Sequence, residues 1–296
     1  MIHDVLDDVI TYNLEIHSKI IGSGGSALVQ VAYWNNTQTK FAVKRFNESF
    51  KKEEIINEIK ITKIASQHPN IIRFYGVTRS QDKSNYSLVL EYADGGTLGN
   101  YLRANTETFK WESQLQFAKE IASAVSWLHD NRIIHGDINP KNILIHKQEI
   151  KLADLDVHVY KEINCDLTEK SDIYSLALVF WELTSHRSPF DYETKKNGSE
   201  IMLEIHNGKR EKPMSNTNGK FVALYQKCWK CEPNDRPNIC EVISKLNSVY
   251  STNSENNEES TDFDSKGSEK IESTKELEGQ DMSKYNINSS EYSHLQ

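Results

Sequence analysis

Residues 133–145, I-I-H-G-D-I-N-P-K-N-I-L-I, with I-K-L-A-D-L-D over 150–156 just behind them, constrain this chain more than any other stretch. The Ile and Leu runs on both sides are of the kind that folding buries. They hold a short polar segment between them, and that segment carries His135, Asp137 and Asn142, with Asp154 twelve positions beyond Asn142. An acid, an amide and a second acid offer hard oxygen atoms to a small divalent cation, and a carboxylate placed beside them can align a hydroxyl.

Upstream of this stretch the pattern is mostly that of strands. I-H-S-K-I and A-L-V-Q-V-A-Y-W flank the glycine-rich turn I-G-S-G-G-S, and Ala27, Val29 and Val31 alternate as in a half-buried strand. A third strand is expected over Lys40–Phe46. Residues 50–65 place Ile55, Ile59, Ile61 and Ile64 among charges, as a helix with one buried side does, and His68-Pro69-Asn70 ends it. I-I-R-F-Y-G-V and Y-S-L-V-L-E-Y-A read as two more strands. The first ninety residues thus give five strands and one helix. Asp94-Gly95-Gly96 reads as a hinge, because consecutive glycines lift the steric limits on backbone angles. Beyond it, helices are expected over 114–131, 171–185, 199–207, 220–231 and 238–250, the second of them apolar enough to be central and buried.

Charge and cysteine usage narrow the function classes. The net charge is -8, and residues 251–296 carry eleven acids against four bases, so -7 belongs to that tail. Rich in Ser, Asn, Glu and Lys and poor in large apolar groups, the tail cannot offset the entropy of ordering and reads as disordered. The nearly neutral body argues against a nucleic-acid partner. No apolar run reaches the length of a membrane span. The acidic start M-I-H-D-V-L-D-D-V-I has no secretory pattern, so the cytoplasm is the default location, with the nucleus left open. Cys228 and Cys231 form a C-x-x-C pair, but only Cys165 and Cys240 remain to match it. Reduced core thiols are expected rather than a zinc site.

Phe41-Ala42-Val43-Lys44 sets a lysine inside an apolar strand, where it needs an anion. The following helix offers Glu58, with Glu53 and Glu54 as competitors placed where acids compensate a helix dipole. The glycine turn, the strand lysine, the helix glutamate, H-G-D-I-N-P-K-N and D-L-D, in this order, resemble the motif set of the protein kinase family. D-I-Y-S, W-E-L and C-W-x-x-x-P-x-x-R-P point to its tyrosine-kinase-like and tyrosine kinase side. The resemblance implies an α+β, bilobal fold over residues 12–250, with a small mostly β lobe at 12–93 and a large mostly α lobe at 94–250, between an extension at 1–11 and the tail at 251–296.

The resemblance also implies ATP and Mg²⁺ as cofactors and a protein substrate in intracellular signalling. Lys44 would hold the α- and β-phosphates, Glu58 would orient Lys44, Asp137 would face the substrate hydroxyl, and Asn142 and Asp154 would hold the metal. Ile21, Gly22, Ser23, Gly24, Gly25 and Val29 would cover the nucleotide. Ala42 and Leu144 would sandwich adenine, Leu90 would stand behind it, and the backbone of Glu91 and Ala93 would bond its edge. The pattern also departs from the family. Gly136 replaces the arginine of H-R-D. Asn139 stands where serine/threonine kinases carry lysine, while Lys141 takes a place where tyrosine kinases often carry a base, so the acceptor hydroxyl stays undetermined. Asp156 replaces the glycine of D-F-G. Eighteen positions separate Asp154 from Asp172, roughly half the family spacing, and Glu162 is the evident partner for Arg236. That shortening raises a second reading, a nucleotide-binding pseudokinase scaffold.

Overall fold

A computed structural model of the chain describes residues 14–23, 27–34, 37–47, 51–79, 86–155, 158–159, 168–191 and 198–249. Strands β1 (Leu14–Ser23), β2 (Ala27–Trp34), β3 (Lys40–Phe46), β4 (Phe74–Arg79) and β5 (Tyr86–Glu91) form one antiparallel sheet in the order β1-β2-β3-β5-β4. Helix α1 (Lys52–Ala65) crosses the chain from β3 to β4. Its Ile55 and Ile59 pack against Ala27, Phe46, Val77 and Leu88 of the sheet, whereas Ile61 joins the larger core and Ile64 is exposed, so the expected isoleucine stripe is buried only in part. The competition among its acids is resolved here: Glu54 Oε2 accepts the Lys51 N–H at 2.8 Å and caps the helix start, whereas Glu58 is buried further along.

The rest is mostly helical: α2 (Leu98–Ala104), α3 (Trp111–Asp130), α4 (Glu169–Ser185), α5 (Gly198–His206), α6 (Gly219–Cys228) and α7 (Ile239–Ser248). Leu115, Ala118, Ile121, Ala122, Val125 and Leu128 of α3 are fully buried, the stripe that their spacing specifies. Helix α4 is buried around most of its circumference and packs on α3 and α6, with Phe180 and Trp111 both against Phe221. Two short antiparallel pairs, β6 (Ile133–Ile134) with β9 (His158–Val159) and β7 (Ile143–His146) with β8 (Glu149–Leu152), complete the described strands of this lobe. An α+β, bilobal architecture is therefore observed.

One backbone seam joins the lobes, and a second pins the segment that connects them to the large lobe. After α1, the turn holding His68 docks on β8. Ile72 N–H donates to Leu152 C=O and Leu152 N–H to Asn70 C=O, both at 2.8 Å, while His68 Nδ1 accepts the Asn70 N–H. After β5, Gly95 N–H donates to Ile145 C=O and Ile145 N–H to Gly96 C=O, each at 2.8 Å. The two glycines of this expected hinge differ in their reasons. Gly96 has φ +73°, whereas at Gly95 a Cβ would lie 2.8 Å from the side chain of Ile145. At Gly95 the requirement is close approach rather than freedom, and the segment is pinned to β7.

Of the described cysteines, Cys228 is a core side chain, Cys231 is half-buried and Cys240 is exposed. The expectation of core thiols thus holds for Cys228, whose thiol burial pushes up to about 12, and fails at Cys240. That residue stands on the solvent side of α7, whose inward face is taken by Ile239, Val242 and Leu246. Among the described residues, no helix is long and apolar enough to cross a membrane.

Candidate active site

The sheet register assembles the upper wall. Val29 pairs with Lys44 and Lys44 with Leu88, while Val31 pairs with Ala42 and Ala42 with Leu90. Directly opposed residues share a face and alternate residues return to it. Val29, Ala42, Lys44 and Leu90 therefore line one surface, and Gly22 joins them opposite Val29. Ile21 and Ser23 are exposed on β1; Gly24 and Gly25 lie outside the described residues.

Lys44 is the junction of the two lobes. Its Nζ lies 2.8 Å from Glu58 Oε1 and 2.5 Å from Asp154 Oδ1. The side chains of Lys44 and Glu58 are about nine-tenths buried, and that of Asp154 is about half exposed. Burial alone would lower the lysine's affinity for its proton, but the two carboxylates outweigh it and hold Lys44 well above the ordinary lysine range. For Asp154, burial pushes upward and the Lys44 ammonium pulls further downward, leaving the carboxyl below the usual carboxylate range. Asp154 takes φ +56°, a region that aspartate tolerates better than most residues. The ion pair helps hold it there.

The lower wall is a hydrogen-bonded loop. Asp137 Oδ2 accepts from Asn142 Nδ2 at 2.7 Å, and Asp137 Oδ1 accepts from Asn139 Nδ2 at 2.8 Å. Fully buried His135 accepts the Asp137 N–H at Nδ1 and meets Ala153 C=O through Nε2. Ala153 N–H donates to Asn142 C=O at 2.8 Å, which sets Asp154 beside Asn142. Beneath the loop, Asp172 at the start of α4 accepts from His135 N–H and Gly136 N–H at 3.0 Å each and meets His129 Nε2 at 2.8 Å. Sequence reading missed this anchoring role. An acid in the first turn, just ahead of the apolar run 176–181, was the one visible sign of it.

The donor set fits a hard cation. Asn142 spends its amide nitrogen on Asp137 O and Oδ2, so its side-chain carbonyl oxygen is the atom that would face a cation, and Asp154 adds a half-exposed carboxylate. No group of three or more His, Cys, Asp or Glu able to hold a metal occurs among the described residues. Mg²⁺ does not need one, since one or two side chains with phosphate oxygens and water complete its shell. The Glu91 N–H is committed to Arg73 C=O at 2.9 Å, so only its carbonyl remains for an adenine edge. The Glu91 side chain turns away to Lys151 and His146. It lines a cavity of about 730 Å³ with Lys63, His68, Phe74 and Tyr75, which holds none of the other site residues.

Family models match nearly the whole described chain. The "Protein kinase domain" model covers residues 16–164 and the "Protein tyrosine and serine/threonine kinase" model covers 159–246. The chain belongs to the protein kinase family. A putative serine/threonine-protein kinase/receptor of Acanthamoeba polyphaga mimivirus is 31% identical over 80% of this chain and 15% of its own length. Mitogen-activated protein kinase kinase kinase 7 of Drosophila melanogaster is 27% identical over 77% of the chain and 36% of its own length. Serine/threonine-protein kinase STY17 of Arabidopsis thaliana is 29% identical over 62% and 35%. The chain thus spans well under half the length of these relatives.

The departures from the kinase pattern now have structural content. Gly136 has φ +79°, where a side chain would cost roughly 1–2 kcal/mol, so the residue that removes the arginine also relaxes the loop. Arg236 donates from Nε to Lys230 C=O, from Nη1 to Lys170 C=O and from Nη2 to Cys231 C=O. Its guanidinium thus ties the segment before α7 to the start of α4. Glu162, its expected partner, and Asp156 lie outside the described residues.

Proposed function

We propose that this chain is a Mg²⁺- and ATP-dependent protein kinase that transfers the γ-phosphoryl group to serine or threonine hydroxyls in intracellular, cytoplasmic signalling. The observation that carries it is Lys44, held between Glu58 of the small lobe and Asp154 of the large lobe. Phosphoryl transfer depends on positioning and charge stabilisation, and this arrangement supplies both. Lys44 binds phosphate oxygens, and Glu58 keeps its ammonium in place. Asn142 and Asp154 hold the metal, which neutralises charge on the phosphates when bound. Asp137, fixed by two amides, orients the incoming hydroxyl. Val29, Ala42, Leu90 and Leu144 enclose adenine, and the backbone of Glu91 and Ala93 meets its edge. The serine/threonine assignment follows the names of the relatives. The proposed domain spans residues 12–250, with 251–296 as a tail outside it.

Two assays test this. Purified protein given radiolabelled Mg·ATP and mixed peptides is expected to transfer label to serine or threonine; tight nucleotide binding without transfer would favour the scaffold reading. Mg·ATP at a hundredfold excess over its Kd is expected to raise the melting temperature by roughly 5–10 °C. Lys44→Ala should abolish that increment. An unchanged increment would sink the pocket assignment.

A further inference from the structure

We infer that Asn139 is a positioning residue for phosphoryl transfer, fixing the Asp137 carboxylate where serine/threonine kinases place a lysine. The inference rests on the kinase reading above and extends it to a residue that the motif pattern marks only as a departure.

The geometry is two-sided. Asn139 Nδ2 donates to Asp137 Oδ1 at 2.8 Å and also approaches the Asp137 carbonyl at 3.3 Å. Its Oδ1 faces the other way and accepts the N–H of Lys141 at 2.9 Å and of Asn142 at 3.2 Å. The oxygen end caps the turn, and the nitrogen end grips the carboxylate. Asn142 takes the other carboxylate oxygen through its own amide. An ionised carboxylate offers about four lone-pair sites. The two amides use one on each oxygen, which fixes the rotation of the group while an acceptor site on each oxygen remains for a hydroxyl. A lysine could bond the same oxygen but could not cap the turn, because an ammonium has no acceptor. In this chain one short, neutral side chain therefore sets both the loop and the acid.

The two ends of Asn139 can be separated by substitution. Asn139→Asp keeps an oxygen for the Lys141 and Asn142 N–H groups but turns an oxygen towards Asp137, so the donor is lost and the carboxylates repel. Asn139→Lys keeps a donor for Asp137 and loses the cap. For Asn139→Asp the expected result is a kcat reduced roughly tenfold to a hundredfold, the scale of a displaced catalytic group. Its KM for ATP should stay within about twofold, and its melting temperature should fall no further than that of Asn139→Lys. For Asn139→Lys the melting temperature should fall by roughly 2–4 °C, with most of kcat retained. A purely structural Asn139 would give the opposite ranking of kcat or none. Wild-type transfer with Asn139→Asp within about twofold of its kcat would overturn the positioning role alone. Absence of transfer by the wild type would overturn the kinase reading, and this role with it.

Discussion

Asp172→Ala is expected to lower the stability of the chain by about 3–5 kcal/mol, the scale of removing one partner from a buried charged network. The side chain is 1% exposed and receives His135 N–H, Gly136 N–H and His129 Nε2 on its two oxygens. Alanine would leave the buried His135 N–H and His129 imidazole, and the part-buried Gly136 N–H, without their acceptor, and each buried donor left unmet costs about 1–3 kcal/mol. The effect should reach the site, because the two backbone donors belong to the residues immediately before Asp137. Chemical denaturation should show the midpoint falling, with Asp172→Asn milder because one acceptor oxygen survives. A loss below about 1 kcal/mol would mean that the loop is held by its apolar flanks alone.

Asp137→Ala is expected to reduce phosphoryl transfer by at least a hundredfold, within the 10²–10⁴ range attributed to a positioned acid or base. ATP binding should persist, since Lys44, Glu58 and Asp154 are bonded to one another and not to Asp137. Initial rates with labelled ATP, read beside an ATP titration, check both halves. Transfer surviving at the wild-type rate would implicate a contaminating kinase or a different base. Binding lost together with transfer would mean that removing Asp137 releases Asn142, whose amide it receives, and with it the metal site.

How far the sequence was legible depends on the range of the interactions involved. The strand Lys40–Phe46 is observed with the expected bounds, although it buries four residues in a row rather than alternating, and α1 and α3 follow the spacing of Ile55, Ile59, Leu115 and Leu128. The strand is marked by its apolar run and the two helices by local periodicity, both of which one sequence contains in full. Helix α2 escaped notice because its seven residues are too few for a periodic signal, although Thr97, which accepts the Asn100 N–H, is a recognisable cap. Gly95 shows a different limit. Its need for glycine comes from Ile145, fifty positions away, and no local rule reports a close approach between distant segments.

The candidate site divides in the same way. Lys44, Glu58, Asp137, Asn142 and Asp154 were legible as residue types in an ordered pattern. The choice of Glu58 over Glu53 and Glu54 was legible too, from the position of the latter two at the helix start, but the long-range pairing of Lys44 with Asp154 was not. Asp172 was visible only as a landmark, because its role lies in three bonds to residues more than thirty-five positions away. For Asn139, the departure from pattern was plain, but the compensating bonds to Asp137 were not. A missing lysine marks only a loss until the amide is seen on the carboxylate.

A crystal structure with Mg²⁺ and a non-hydrolysable ATP analogue tests the central claim most directly. The account predicts one triphosphate touching Lys44 Nζ, a metal shared by Asn142 and Asp154, and the Asp137 carboxylate turned towards the γ-phosphoryl group. A nucleotide bound elsewhere, or one that leaves these side chains facing separate cavities, would contradict it.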